Sequence, residues 1–132
     1  MKIKYLTEQD IIELNVAVLS LIKIKKADKS ELLSYSKLKT IVEDCRKLKG
    51  DIYDKSAFLL KQTIKQHAFA SGNRRTAFIA VKHFLTLNNA IFNIKDEPEY
   101  AKMMTGIRDN YYSDEEIKNW IQHGTIREFK RR

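Results

Sequence analysis

The chain has 132 residues, 43% hydrophobic and 32% charged, and its 25 basic against 17 acidic residues give a formal charge of +8. That is one domain's length with apolar side chains enough for a core, which excludes a disordered chain, and no apolar run reaches the eighteen or so residues of a membrane span. Met1–Lys4 carries no secretory signal, and the lone Cys45 excludes an internal disulfide and fits a reducing cytoplasm as a small apolar residue on a helix face.

Four glycines and a single proline leave little punctuation for many short strands and favour long helices. In chain order, Thr7 is placed to cap a first helix carrying Ile11, Ile12, Leu14, Val16, Val18, Leu19 and Ile22, with Asp10 suiting its positive end. A lysine-rich turn follows at Lys23–Lys29. A second helix is predicted from Ser30 to about Lys49, because Leu32, Leu33, Tyr35, Leu38, Ile41, Val42, Cys45 and Leu48 recur at helical spacing, and Gly50 fits the position just past its end. Tyr53 to Gln66 reads as a third helix, with Ala57, Phe58, Leu60 and Ile64 on one side. The pattern breaks at His67–Gly72 and resumes from about Asn73, where Ala77, Ala80, Val81, Phe84 and Leu85 form a stripe ending near Asn88 and Asn89.

Ala90–Ile94 is short and β-prone, an extended piece or a single strand. Pro98 suits the first turn of a helix carrying Tyr100, Met103, Met104 and Ile107, with Asp96 or Glu97 near its cap. Ser113 followed by Glu116 is a capping-box signature for a last helix through Ile117, Trp120 and Ile121. The sum is an all-α fold, a compact bundle of about six helices in a single domain over residues 1–132, with no internal repeat or linker. The basic tail Arg127–Arg132 reads as a frayed, solvated terminus. His83 and His123 lack partners at metal spacing, Met103 and Met104 read as core, and Trp120 with Tyr111 and Tyr112 reads as packing for the last helix.

The chemistry is concentrated in His67-Ala68-Phe69-Ala70-Ser71-Gly72-Asn73-Arg74-Arg75. This segment opens a helix, whose N-terminus offers unpaired backbone N–H groups and the positive end of a dipole to an anion. Gly72 permits close approach of a bound group, Asn73 is able to cap the helix or hold the loop, and Arg74 and Arg75 supply forked donors suited to phosphate. His67 supplies an imidazole as a candidate base, and Phe69 points to the core. An ordinary basic turn before a capped helix would carry the same residues. As a site, a base, an anion cradle and two arginines describe phosphoryl or nucleotidyl transfer better than peptide hydrolysis.

The stretch from His67 to Arg75 resembles the Fic/Doc family motif, H-x-F-x-[D/E/N]-[G/A]-N-[G/K]-R, and the chain's size and helix order look like the short death-on-curing (Doc) type toxins. The resemblance implies an α-helical bundle with the active loop between two central helices. It implies His67 as the base that deprotonates a target hydroxyl, Phe69 as buried anchor, Gly72 and Asn73 as an anion-hole pair, and Arg75 as the arginine that neutralises phosphate. Arg74 keeps the positive charge that Doc-type members place there. Ser71 stands where most members have an acid that holds Mg²⁺; its hydroxyl is able to ligate the ion but brings no charge, so metal binding is expected to be weaker, or helped by another carboxylate such as Asp51 or Asp54. Phe78 stands where AMP-transferring members carry a second arginine, which Doc-type members also lack.

The implied activity is therefore an ATP-dependent (or other nucleoside triphosphate-dependent) protein kinase reaction of the Doc type, with Mg²⁺ as cofactor. Its target would be a protein Ser or Thr hydroxyl, such as that of a translation factor. The alternatives are AMP transfer (AMPylation) of the Fic type and a degenerate member that binds nucleotide or a partner without turnover. No glutamate is followed by glycine or asparagine, so the family's built-in inhibitory motif is absent and a separate antitoxin is implied. No membrane or nucleic-acid partner is expected. The family's target-docking flap would correspond to Arg46–Asp54, which also reads as a plain interhelical loop.

Overall fold

The computed structural model describes residues 2–21 and 30–130, and these form six α-helices with no strand longer than one isolated bridge. The helices are α1 (Glu8–Leu21), α2 (Tyr35–Lys47), α3 (Ile52–Gln66), α4 (Asn73–Leu87), α5 (Tyr100–Arg108) and α6 (Asp114–His123). The all-α bundle read from the sequence is the fold observed. Ile22, the turn at Lys23–Lys29, Arg131 and Arg132 lie outside the described residues.

α3 is the hub: it packs on α4, α6, α2 and α5, while α1 closes against α4. A helix covered on so many sides buries nearly its whole circumference, here Leu59, Leu60, Ile64, Ala57, Ser56, Thr63 and Lys55. Phe69, Phe78, Phe84, Leu38, Met104 and Ile121 fill the spaces around it. Local signals set the helix starts. Thr7 and Asp10 exchange side-chain to backbone hydrogen bonds at 2.8 and 3.1 Å, and Ser113 and Glu116 do the same at 3.0 and 3.1 Å. Cys45 is buried, and burial pushes its thiol up to about 11, so it is an inert apolar filler at neutral pH.

Several expectations are corrected. Val16 is half exposed, because the inward stripe of α1 runs through Ile11, Asn15, Val18 and Leu19 at helical spacing. α2 begins at Tyr35 rather than Ser30: residues 31–34 are spent on another partner, and Ser34 is the cap, accepting from the Lys37 amide at 3.2 Å. Leu33 and Tyr35 are accordingly exposed. Of the two readings of Ala90–Ile94, the strand is not formed; Asn93 ties the segment to α6 by donating to the carbonyls of Ile121 and Gln122 at 3.0 and 2.6 Å. α5 starts at Tyr100, after a turn through Pro98, because Asp96 is engaged elsewhere and caps nothing.

The tail is docked rather than frayed as far as Phe129. Arg127 pairs with Glu116, lies 4.0 Å over the Tyr111 ring and donates to the Tyr111 carbonyl at 2.7 Å. Phe129 packs edge-on against Tyr111, with centroids 4.9 Å apart. The Tyr112 and Phe129 rings crowd Gly106, where an added Cβ would stand 2.5 Å from Tyr112 and 3.1 Å from Phe129. Gly106→Ala should therefore lower stability by about 1–2 kcal/mol, overpacking outweighing the gain in helix propensity, as read by urea denaturation. A stabilised variant would contradict this packing.

Candidate functional site

The loop between α3 and α4 is built by bending the end of α3 and pinning it from three directions. His67 ends α3 in the left-handed region (φ 52°, ψ 49°), a conformation that a non-glycine side chain adopts only under support. The support comes from residues 31–34: the Leu33 and Ser34 amides donate to the Ala68 carbonyl at 2.7 and 3.1 Å, and the Ala70 amide donates to Glu31 at 2.9 Å. Phe69 is fully buried beneath this bridge.

Two asparagines hold the rest. The Asn73 side chain accepts from the Phe69 amide at 3.2 Å and donates to the Phe69 carbonyl at 2.8 Å, and its amide nitrogen lies 3.3 Å from Nδ1 of His67. It thus clamps the loop and orients the histidine ring. Asn15, buried on α1, donates to the Ser71 carbonyl and to Thr76 Oγ1, both at 3.0 Å, and accepts from Ser30 Oγ at 2.7 Å. With both amide ends engaged, its burial carries no unpaired polar atom at either end.

α4 begins directly after Gly72, which occupies the cap position at φ 77° with no side-chain capping bond. An added Cβ there would stand 3.1 Å from Leu19, so glycine is required both by the backbone and by the packing of α1. Asn73 is the first helical residue, not the cap, and its 7% exposed side chain faces the loop. Only its backbone N–H, with those of Arg74 and Arg75, belongs to the first turn, where helical N–H groups lack a carbonyl one turn back.

The two arginines diverge. Arg74 is exposed, with Nη1 2.9 Å from Thr105 Oγ1 on α5. Arg75 meets the Asp96 carboxylate with two nitrogens, at 2.8 and 3.1 Å, and donates to the Tyr100 hydroxyl at 2.8 Å. Phe78, whose position reads as a missing arginine, is a platform: it stacks on Tyr100 at 4.5 Å, and the Arg75 guanidinium sits 5.1 Å from its centroid. The hydrogen bonds from Arg75 hold the Asp96 carboxyl below its usual range, and Asp96 in turn raises Arg75, which stays charged. The Asp96 pKa is depressed in the folded state, so its stabilisation is present above the unfolded pKa of about 3.9 and is lost as pH falls through the folded value. Both side chains are partly open to water, which limits the pair to less than about 1 kcal/mol. Asp96→Asn should remove that loss between neutral and acid pH; an unchanged acid limb in urea denaturation would contradict the pairing.

His67, Ser71, Gly72, Asn73, Arg74 and Arg75 all line one open cavity of about 380 Å³. The far wall is made by Tyr100, Ala101 and Arg108 of α5, residues with no motif to mark them. Asp51 and Asp54 do not reach it. They cap the other end of α3, a 15-residue helix about 22 Å long, and pair with Lys118 at 3.5 and 2.9 Å. Arg46–Asp54, the expected flap, sits at that same distant end, and residues 31–34 lie against the loop instead.

For Mg²⁺ the donor set is poor. The cavity offers one serine hydroxyl and no carboxylate, and among the described residues no group of three or more His, Cys, Asp or Glu is close enough to hold a metal. A hard divalent cation is held by carboxylate and carbonyl oxygens, and three guanidiniums oppose it here. These residues do not fit a resident Mg²⁺. No described helix is long and apolar enough to cross a membrane.

Comparison with curated proteins gives no match. The sequence model of the Fic/DOC family matches residues 5–85. Its members are generally nucleotide-dependent transferases that use nucleoside triphosphates with Mg²⁺. The matched span covers more than half of the chain, from the segment before α1 through the motif loop and most of α4, and leaves out α5 and α6. With the clamped loop, α3, most of α4 and the α1 asparagine that supports the loop inside that span, this chain belongs to the Fic/DOC family.

Proposed function

We propose that this protein is a phosphotransferase of the Doc type, moving the terminal phosphate of ATP or another nucleoside triphosphate to a Ser or Thr hydroxyl of a target protein. The observation that carries the reading is the convergence of His67, the first turn of α4 and both motif arginines on one cavity. In the reaction, the target oxygen attacks the γ-phosphorus and forms an O–P bond. The bond to the β–γ bridging oxygen breaks, His67 takes the hydroxyl proton, and the nucleoside diphosphate leaves. Backbone N–H groups after Gly72, with Arg74 and Arg75, stabilise the charge on the phosphoryl oxygens. Phe78, in place of a second motif arginine, supports terminal-phosphate transfer over AMP transfer. The lack of a glutamate followed by glycine or asparagine supports control by a separate antitoxin, and the lone Cys45 supports a reducing cytoplasm.

A second reading, nucleotide binding without turnover, is favoured by Ser71 and the carboxylate-free lining. One assay separates these readings: purified protein, cell extract and ATP labelled at either the γ or the α phosphate. Label transferred from the γ position, and reduced by about 10²–10⁴-fold in His67→Ala, is the expected result. Label transferred from the α position would select AMP transfer, and γ-label that persists in His67→Ala would sink the assignment.

A further inference from the structure

We propose that this site neutralises its triphosphate with arginine in place of a divalent cation, with Arg108 as the third arm, so that metal-free nucleotide is its preferred ligand. The inference rests on the nucleotide reading above and concerns how that ligand is held.

Three observations support it. The cavity that contains the motif residues is lined by Arg74, Arg75 and Arg108 together with His67, and the carboxylates next to it, Asp96 and Asp109, are engaged by Arg75 and Arg108 rather than lining it. Ser71 takes the place of the acid that would anchor a metal, and Asp51 and Asp54, the nearest acids in the preceding sequence, are bound to Lys118 at the opposite end of α3. Arg108 is also held where it is needed. Its carbonyl accepts from Lys65 Nζ at 3.3 Å, and the same amine donates to Asn110 at 2.6 Å, which ties the end of α5 to α3. One of its five side-chain donors, Nε, goes to Asp109 at 3.1 Å, and the side chain is half exposed.

Arg74 belongs to the same construction. It is parked on Thr105, three residues before Arg108 and so on the same face of α5. One helix therefore presents two guanidinium groups to the cavity, its own Arg108 and the docked Arg74. Arg75 enters from the other side, on its platform of Phe78 and Tyr100. Guanidinium forks pair with phosphate oxygens in two-pronged hydrogen bonds and need no metal to do so. A triphosphate without metal carries the charge that a divalent cation would otherwise cancel, and three guanidiniums against the two carboxylates paired with them, Asp96 on Arg75 and Asp109 on Arg108, favour that more charged form. A chelated cation, by contrast, would enter among guanidiniums with the hydroxyls of Ser71 and Tyr100 and no carboxylate of the lining to receive it. α5, which carries the third arginine, lies outside the span matched by the family model.

The test is calorimetric titration of the full chain with ATP, once with excess EDTA and once with saturating Mg²⁺. Binding in EDTA at least about threefold tighter than with Mg²⁺ is expected. Arg108→Ala should weaken the EDTA titration by about tenfold and the Mg²⁺ titration by less, with Arg108→Lys intermediate because it keeps the charge and loses the fork. Lys102→Ala removes a positive charge from the same helix outside the cavity and should leave both titrations within about twofold. Arg108 is exposed, so its variants fold as the parent does. Binding that requires Mg²⁺, or an equal loss in Lys102→Ala and Arg108→Ala, overturns the proposal and leaves the transferase reading intact. ATP binding under neither condition refutes the nucleotide reading itself, and this inference with it.

Discussion

Asn73→Ala should cost about 2–3 kcal/mol of stability and lower transfer by roughly 10²-fold, with a smaller loss of nucleotide affinity. The Phe69 amide and carbonyl both end on this one side chain, at 3.2 and 2.8 Å, and Phe69 is fully buried. Truncation leaves a buried donor and a buried acceptor without partners, and each such orphan costs about 1–3 kcal/mol. The same substitution frees the His67 ring, whose Nδ1 lies 3.3 Å from the Asn73 amide, so the base loses its orientation. Affinity should suffer less, because the side chain faces the loop and offers only its backbone N–H to a ligand. Asn73→Asp keeps the acceptor for the Phe69 amide but sets a carboxylate oxygen against the Phe69 carbonyl. It should be no more stable than the alanine variant at neutral pH and should recover as the acid protonates. Urea denaturation, titration with nucleotide and the labelled-ATP assay read the three quantities separately. A stability change below about 0.5 kcal/mol in Asn73→Ala would refute the clamp.

The second large effect is expected far from the site. Lys55→Met should lower the melting temperature by about 10 °C, corresponding to roughly 3 kcal/mol. Lys55 is 4% exposed, and its ammonium donates to the carbonyls of Cys45 at 3.0 Å, Arg46 at 3.3 Å and Leu48. These carbonyls end α2, where the helix dipole is negative and carbonyls lack intrahelical partners. One buried cation thus satisfies them from the neighbouring helix, with the Tyr5 ring 5.3 Å away. Methionine fills the volume and leaves the carbonyls with no donor. A melting temperature within about 2 °C of the parent would show that water reaches α2's end and that the lysine is dispensable.

The difference between these two residues shows how far a linear reading reaches. Asn73 stood out because it belongs to a spaced motif, and either of its two readable roles, cap or loop brace, was open from sequence; the loop brace is the one its side chain performs. Lys55 carried no signal at all, since a lysine in an amphipathic helix is ordinarily on the solvated face. The same blindness explains Val16 and Asn15. Apolar residue type argued for Val16, yet the geometry of α1 turns it outward and brings Asn15 in to hold Ser71, 56 positions along the chain.

By itself the sequence determined the six helices, the caps at Thr7 and Ser113, and the motif loop. Helical periodicity, capping boxes and a glycine at the loop's end act over a few residues, and their physics is complete within that range. Only the tertiary structure decided what surrounds the loop. Asp96 and Tyr100 reach Arg75 across 21 and 25 positions, Arg108 closes the far wall, and Asp51 and Asp54 are carried to the wrong end of a long helix. Those outcomes depend on which faces of α3, α4 and α5 pack together, and that choice is made by the whole core rather than by any segment of it.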